Sequence, residues 1–332
     1  MTSAATGFRI GVDLGGTNLR IAAFRDGVIP VVVRRETVGD DRGPETVVAR
    51  LAALSDEVRA EAGIGDGEVP VGIGVAAMLS DRRGTVANAP NLRWFDVPFG
   101  AMLATRLDGH ARLGVYNDVN AIVWGEYCQG AAVGARDVLG VYVGTGIGGG
   151  VVSTGALVEG ATNTAGEIGH TKVRWDGGAA PCECGQRGCV EAYVGGASVL
   201  RRIRNELVSG AKTKAVDIAG NADRVTPGDV DAAAADGDEW ALSLWSELAP
   251  MLGVPLANAI AVLNPEILVL GGGMLSRTPL LREQVLAAMT VAATPASLAA
   301  VEVREPLLGD DAGLVGAALL ADAGVSCIDW HA

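Results

Sequence analysis

The chain runs strand, glycine turn, returning strand twice, and that repetition constrains its fold more than any other feature. "FRIGVDL" and "NLRIAAF" flank Gly15-Gly16, and "DVLGVYVG" runs through "TGIGGG" into "VVSTGALVEG". Short β-branched and apolar runs bounded by glycine predict strands joined by tight turns. The repeat, over residues 8–24 and 137–154, predicts two domains built on one plan with a cleft between them. A third strand, "VIPVVVRR", follows Asp26-Gly27, a strong hairpin signal.

The remaining pattern alternates. A helix over 44–62 precedes the buried strand "VPVGIGVAA", a loop containing "APNLRW", a helix near 98–107, the strand "RLGVYND" and the helix "VNAIVWGEYCQG". In the second half, helices near 197–208 and 238–263 precede "EILVLGGG", a helix at 280–290, the strand "AAVEVREP" and a helix at 311–322. Residues 210–228 are polar, with Gly and Pro, and read as a loop between helices. Strand–helix alternation argues for the α/β class, and 332 residues suit two domains.

Charge narrows the partners. A net charge of −13 and a pI near 4.7 do not suit a phosphate-backbone binder, which needs clustered Lys and Arg. Nucleic acid and anionic membrane are therefore not expected as partners. The opening "MTSAATGFRIGVDLGG" lacks a charged segment followed by an apolar one, so no targeting signal is expected. The most apolar stretch, Leu248 to Leu270, is broken by Asn258, Asn264, Pro265 and Glu266, and reads as a buried helix followed by a strand. Five cysteines, an odd number, suit a reducing, cytoplasmic compartment better than a disulfide framework.

"DLGGTN", Asp13 to Asn18, ends a buried strand with an acid, two glycines and a hydroxyl. Glycine lets backbone N–H groups approach a phosphate, and an acid beside it makes sense with a Mg²⁺ ion carried on that phosphate. A plain hairpin turn is the alternative. "VGTGIGGG", Val143 to Gly150, also satisfies G-x-G-x-x-G, but a dinucleotide fingerprint requires a helix next, and "GVVSTGALVE" reads as strand and hairpin. No Walker sequence is present. Gly271-Gly272-Gly273 follows "EILVL" as a tight strand-to-helix turn. "YNDVNA" places Asp118 between a strand and a helix, where it can cap the helix or accept a proton from a substrate hydroxyl.

Three of the five cysteines lie in "PCECGQRGCV", just downstream of "AGEIGH". His170, Cys182, Cys184 and Cys189 form a Cys₃His set, a usual donor set for structural zinc. Four protein ligands close the site to water, so the expected role is structural. Such a loop would fix Glu167, His170 and Glu191 near one another, and fixed carboxylates beside a phosphate site suit a polyol ligand.

With these motifs assembled, the chain resembles the ROK family of sugar kinases, and within it the ATP-dependent glucokinases. The matching segments are Asp13 to Thr17, Asn91 to Trp94, Asn117-Asp118, Gly144 to Gly148, Gly166 to His170, and Cys182 through Glu191. The resemblance implies a two-domain actin-like and hexokinase-like (ribonuclease H-like) fold with an interdomain cleft and a structural zinc loop over 170–191. Residues 1–118 plus 311–332 would form the smaller domain and 119–310 the larger. Asp118 would be the general base on the sugar 6-hydroxyl. Asn91, Asn117, Asp118, Glu167, His170 and Glu191 would bind the sugar, with His170 using its second ring nitrogen for zinc. Asp13, Gly15, Gly16, Thr17, Gly144, Thr145, Gly146, Gly271 and Gly272 would hold ATP with Mg²⁺.

The activity implied is ATP-dependent phosphorylation of glucose, with N-acetylglucosamine, N-acetylmannosamine or fructose as alternative substrates. A sugar-responsive ROK regulator is a further alternative, but too few residues precede Asp13 for a helix-turn-helix domain. The resemblance also implies a homo-oligomer, dimer or tetramer. Two positions depart from the family pattern: Ala76-Ala77 where many members have Pro-Gly, and Gly195-Gly196 where Ser-Gly is common.

Overall fold

The computed structural model describes residues 7–65, 68–107 and 110–327. Residues 1–6, part of the N-terminal stretch read above, lie outside them. In chain order the first elements are β1 (Phe8–Leu14), β2 (Asn18–Arg25), β3 (Pro30–Thr37), α1 (Pro44–Ala62), β4 (Val69–Val75), β5 (Met78–Leu79), β6 (Val86–Ala89), β7 (Trp94–Val97), α2 (Phe99–Ala104), β8 (His110–Asn117) and α3 (Asp118–Gln129). There follow β9 (Val138–Val143), β10 (Ile147–Ser153), β11 (Ala156–Leu157), α4 (Glu191–Val194), α5 (Gly196–Val208), α6 (Ala215–Ala219), α7 (Pro227–Ala235) and α8 (Glu239–Leu263). The last elements are β12 (Ile267–Gly271), α9 (Pro279–Ala292), α10 (Pro295–Leu298), β13 (Glu302–Arg304) and α11 (Ala312–Asp322).

Two five-stranded sheets share one plan. Their strand orders are β3-β2-β1-β4-β8 and β11-β10-β9-β12-β13. In the first, β1 is antiparallel to β2 and parallel to β4, and β4 is parallel to β8. In the second, β12 is parallel to both β9 and β13. The doubled strand–turn–strand pattern thus marks the hairpin that opens each sheet.

Contacts divide the chain into two compact units. The first comprises residues 1–136, 150–166 and 306–332, and the second 137–149 and 167–305, so one boundary falls inside β10. This differs from the expected boundary at 118. The reason is that α3 packs on α11 and on β4 and β8, so it belongs with the first sheet. With α3 and 150–166 included, the first unit is the longer of the two.

In the first unit, β1 and β4 are buried on both faces, as the near-continuous apolar runs require. One face carries α11, whose small residues permit close approach: a Cβ at Gly72 of β4 would overlap the Ala317 carbonyl. Leu51, Leu54 and Val58 of α1 join the core of Ile10, Val12, Leu19, Ile21 and Ile73. A small sheet, β5-β6-β7, occupies the segment read as a loop around "APNLRW".

In the second unit, α8 packs against α9 and α7. Among the described residues α8 is the one helix long and apolar enough to cross a membrane. Pro250 and Pro255 lie within it, and Trp245, Leu248, Leu252, Leu256 and Ile260 are buried against the protein. The segment 210–228, expected to be a loop, contains α6 and the start of α7. Thr226 caps α7: its hydroxyl accepts from Asp229 N at 3.3 Å, while the Asp229 carboxylate accepts from Thr226 N at 2.8 Å.

Candidate active site

In the first unit, Gly15, Gly16 and Thr17 form the β1–β2 turn, closed by Gly15 N donating to Asn18 O at 2.9 Å. The hairpin register sets Asp13 opposite Arg20. Arg20 Nε donates to Asp13 Oδ2 at 3.1 Å, and Nη2 contacts the same oxygen. The same guanidinium donates to the Asp310 carbonyl at 2.6 Å, beside the start of α11. Asp13 therefore carries a built-in cation as well as its acidic charge. Arg20 was missed from the motif, yet the turn position alone fixes the cross-strand pair that reveals it.

Asn91 follows β6 in a turn whose neighbours are anchored in the core: Leu92 and Trp94 are buried, and Arg93 adopts φ +62°. The Trp94 indole donates to Arg42 O at 2.6 Å. The Asn91 side chain lies directly against Gly16, where a Cβ would overlap it. The turn of "DLGGTN" and the element "NLRW" therefore meet.

At the start of α3 the capping residue is Asn117, not Asp118. Asn117 Oδ1 accepts from Val119 N at 2.9 Å and Asn120 N at 3.1 Å, and Nδ2 donates to Ala77 O at 3.1 Å. Asn117 is thus engaged by the backbone on both ends of its amide, which leaves one N–H for a ligand. Asp118 is the first helical residue, with Oδ1 accepting from Val119 N at 2.9 Å. The departure at Ala76-Ala77 has a structural partner here, since the Ala77 carbonyl orients Asn117.

In the second unit, Gly144, Thr145 and Gly146 form the β9–β10 turn, with Gly144 N donating to Gly146 O at 2.9 Å. Gly271 ends β12 level with Tyr142 of β9, and Gly272 follows at φ +99°. A Cβ at Gly272 would overlap the Val143 backbone. The second glycine turn and the 271–272 pair therefore sit together at the carboxyl ends of two parallel strands, the usual ligand-binding edge of an α/β sheet.

The cysteine loop folds as a short ribbon. Lys172 pairs with Cys189 and Pro181 with Arg187, while Gly185 and Gly188 turn the chain at φ +83° and +79°. One ligand atom each from His170, Cys182, Cys184 and Cys189 lie within 4.8 Å of one another. Cys184 Sγ and Cys189 Sγ are 3.7 Å apart, as are Cys182 Sγ and His170 Nδ1. A tetrahedron with metal–sulfur bonds of about 2.3 Å has an edge of about 3.8 Å, so donor set and spacing fit a four-coordinate zinc ion. Lys172 Nζ donates to Cys189 Sγ at 2.9 Å, placing a cation beside the thiols.

The second ring nitrogen of His170 faces Glu167, with Nε2 3.8 Å from Oε2. Burial raises the Glu167 carboxyl above its ordinary value; His170 opposes this, and the Glu191 charge adds to it. Glu191 Oε1 lies 3.6 Å from Cys182 Sγ, and Oε2 accepts from Ile147 N at 2.8 Å. Glu167 and Glu191 thus lie beside the four candidate metal ligands, Glu167 against His170 and Glu191 against Cys182.

The chain belongs to the ROK family, which it matches over residues 9–323. A glucokinase of Halalkalibacterium halodurans is 33% identical over 314 residues, spanning 92% of each chain. A glucokinase of Thermotoga maritima is 33% identical over 313 residues, spanning 93% of this chain and 95% of its own. A ROK family glucokinase from Streptomyces griseus, solved in complex with glucose and AMPPNP, has a TM-score of 0.76 at 30% identity, with 96% of this chain and 100% of that one covered.

Proposed function

We propose that the chain is an ATP-dependent glucokinase that transfers the γ-phosphoryl group of ATP to the 6-hydroxyl of glucose. The observation that carries the reading is the place of Asp118, the first residue of α3 directly after the carboxyl end of the parallel strand β8, where a carboxylate can meet a substrate hydroxyl. The glucokinase relatives support the choice of sugar and donor.

In this reading Asp118 accepts the 6-hydroxyl proton as its oxygen bonds to the γ-phosphorus and the bond to the β–γ bridging oxygen breaks, releasing ADP. Asn91, Asn117, Glu167, His170 and Glu191 hold the other hydroxyls. Backbone groups at Gly15, Gly16, Thr17, Gly144, Thr145 and Gly146 hold the phosphates, and Gly271 and Gly272 lie against the adenosine. Asp13, with Arg20 beside it, would face the Mg²⁺ carried on ATP, an ion that would supply positive charge to the phosphates. The Cys₃His loop holds a structural zinc. A cytoplasmic homo-oligomer, dimer or tetramer, with sugar and ATP as its small-molecule partners, belongs to the same reading. The net charge of −13 supports the expectation that nucleic acid is not a partner.

The test is product identification by phosphorus NMR after incubation with ATP, Mg²⁺ and glucose. Glucose 6-phosphate is the expected product. Phosphate on another oxygen would remove the role given to Asp118.

A further inference from the structure

The second glycine turn is not simply a loop between two strands; it is seated on the metal loop. Glu191, two residues past Cys189, accepts the Ile147 N–H at 2.8 Å, and its carboxylate fills the space where Gly146 lacks a Cβ. Just beyond, Gly196 N donates to Gly144 O at 2.9 Å and Ala197 N donates to Thr145 O at 3.0 Å. Three successive peptide groups of the turn are therefore held by residues 191–197. That segment is tied to the cysteine loop in turn: Val190 N donates to Thr171 O at 2.9 Å, and Ala192 N donates to Cys189 O at 3.1 Å.

The glycines at 195 and 196 belong to this seat. A Cβ at Gly195 would stand 2.8 Å from Glu191 O, and one at Gly196 would stand 2.5 Å from Gly144 O. Both distances are closer than real Cβ contacts. The local departure from Ser-Gly thus lies at the docking surface of the turn.

We infer that the metal loop positions the nucleotide turn as well as the sugar wall, so that metal occupancy sets nucleotide affinity even without sugar. Glu191 is the positioning residue. Its Oε1 lies beside the ligand Cys182 and its Oε2 holds Ile147, so one carboxylate spans metal site and turn. When four donors are tied to one ion, residues 182–191 are fixed at both ends of the loop. Without the ion, three thiols and an imidazole have no common anchor, and the seat of the turn loosens. The inference rests on the kinase reading, since it takes the β9–β10 turn as a nucleotide site.

The experiment is calorimetric titration of the zinc-loaded chain with ADP and Mg²⁺, sugar absent, before and after zinc is stripped with a chelator that is then removed. Circular dichroism checks that the stripped chain is folded. The expected result is roughly tenfold or greater weakening on stripping, reversed by added zinc, on the scale seen when the support of a metal site is removed. Gly196→Ala supplies an independent arm, because it presses on Gly144 without touching a metal ligand. It should keep its full zinc content and still bind ADP roughly tenfold more weakly, within the range that an overpacked contact costs. Should stripping unfold the chain, this variant decides the matter. Unchanged ADP affinity in a folded, stripped chain, or in Gly196→Ala, overturns the inference and leaves the kinase reading standing. No ADP binding by the zinc-loaded chain overturns both.

Discussion

Arg42 Nη1 donates to the Asn91 carbonyl at 2.5 Å, and the Arg42 carbonyl accepts the Trp94 indole N–H at 2.6 Å. One residue of the loop between β3 and α1 therefore grips both ends of the "NLRW" element. Its Nε also donates to Gly39 O at 3.2 Å, so the grip is fixed to the first sheet's own loop. Arg42→Ala should raise the KM for glucose about three- to tenfold, the range for losing a charge-assisted hydrogen bond in a partly exposed place, with kcat within about twofold. Arg42→Lys should recover part of the loss. Steady-state kinetics on the three proteins separate this from a loss of folded enzyme, which would lower the apparent kcat and leave KM unchanged.

Asp118→Asn keeps the shape of the side chain and removes its basicity. Turnover should fall by about 10²–10⁴, the contribution of a positioned general base, while glucose affinity by calorimetry stays within about threefold. Turnover equal to the parent's would remove Asp118 from the chemistry.

The Cys₃His cluster should hold one metal ion per chain, measured by elemental analysis of protein purified without chelator. Cys184→Ser should lose most of that metal and lower Tm by about 5 °C or more, since each kcal/mol is worth about 2–4 °C in a domain of this size. Cys128 behaves differently. Burial alone pushes its thiol up to about 11, so it should resist alkylation at pH 8 in the folded chain and react after denaturation.

Asp238 tests the pH dependence of stability. It caps α8, accepting from Ala241 N and Lys214 N, both at 2.8 Å. Burial would raise this carboxyl, but the hydrogen bonds outweigh it and hold the group below its ordinary 3.8. Because the folded value is the lower one, the cap's contribution is complete above the ordinary carboxylate range and fades as pH falls through the lowered value. Asp238→Ala should cost about 1 kcal/mol at pH 7 by urea denaturation. The gap between the two proteins should shrink below pH 3.8.

Much of this architecture is written locally. Hairpin turns at Gly15-Gly16 and Gly144 to Gly146, the helices α1, α5 and α8, and the metal cluster all follow from residue types at short spacing. What escaped the sequence has two physical causes. The strands of β5-β6-β7 are two to four residues long and are held by tertiary pairing rather than propensity. The grips of Arg42 on Asn91 and Glu191 on Ile147 join residues 49 and 44 positions apart, and no local pattern encodes them. Two misses were readable in principle. Thr226 and Asp229 spell a capping box for α7, and Asn117 is as good a cap as Asp118, one residue earlier.

ADP release across a sugar panel measures phosphorylation of glucose by ATP. The panel is glucose, mannose, fructose, N-acetylglucosamine and N-acetylmannosamine, each with ATP and Mg²⁺. Strong release with glucose and at most weak release with the others is the expected result. Release confined to an N-acetyl sugar would contradict glucose as the substrate while leaving the site chemistry in place, and no release with any sugar would contradict ATP-dependent sugar phosphorylation altogether.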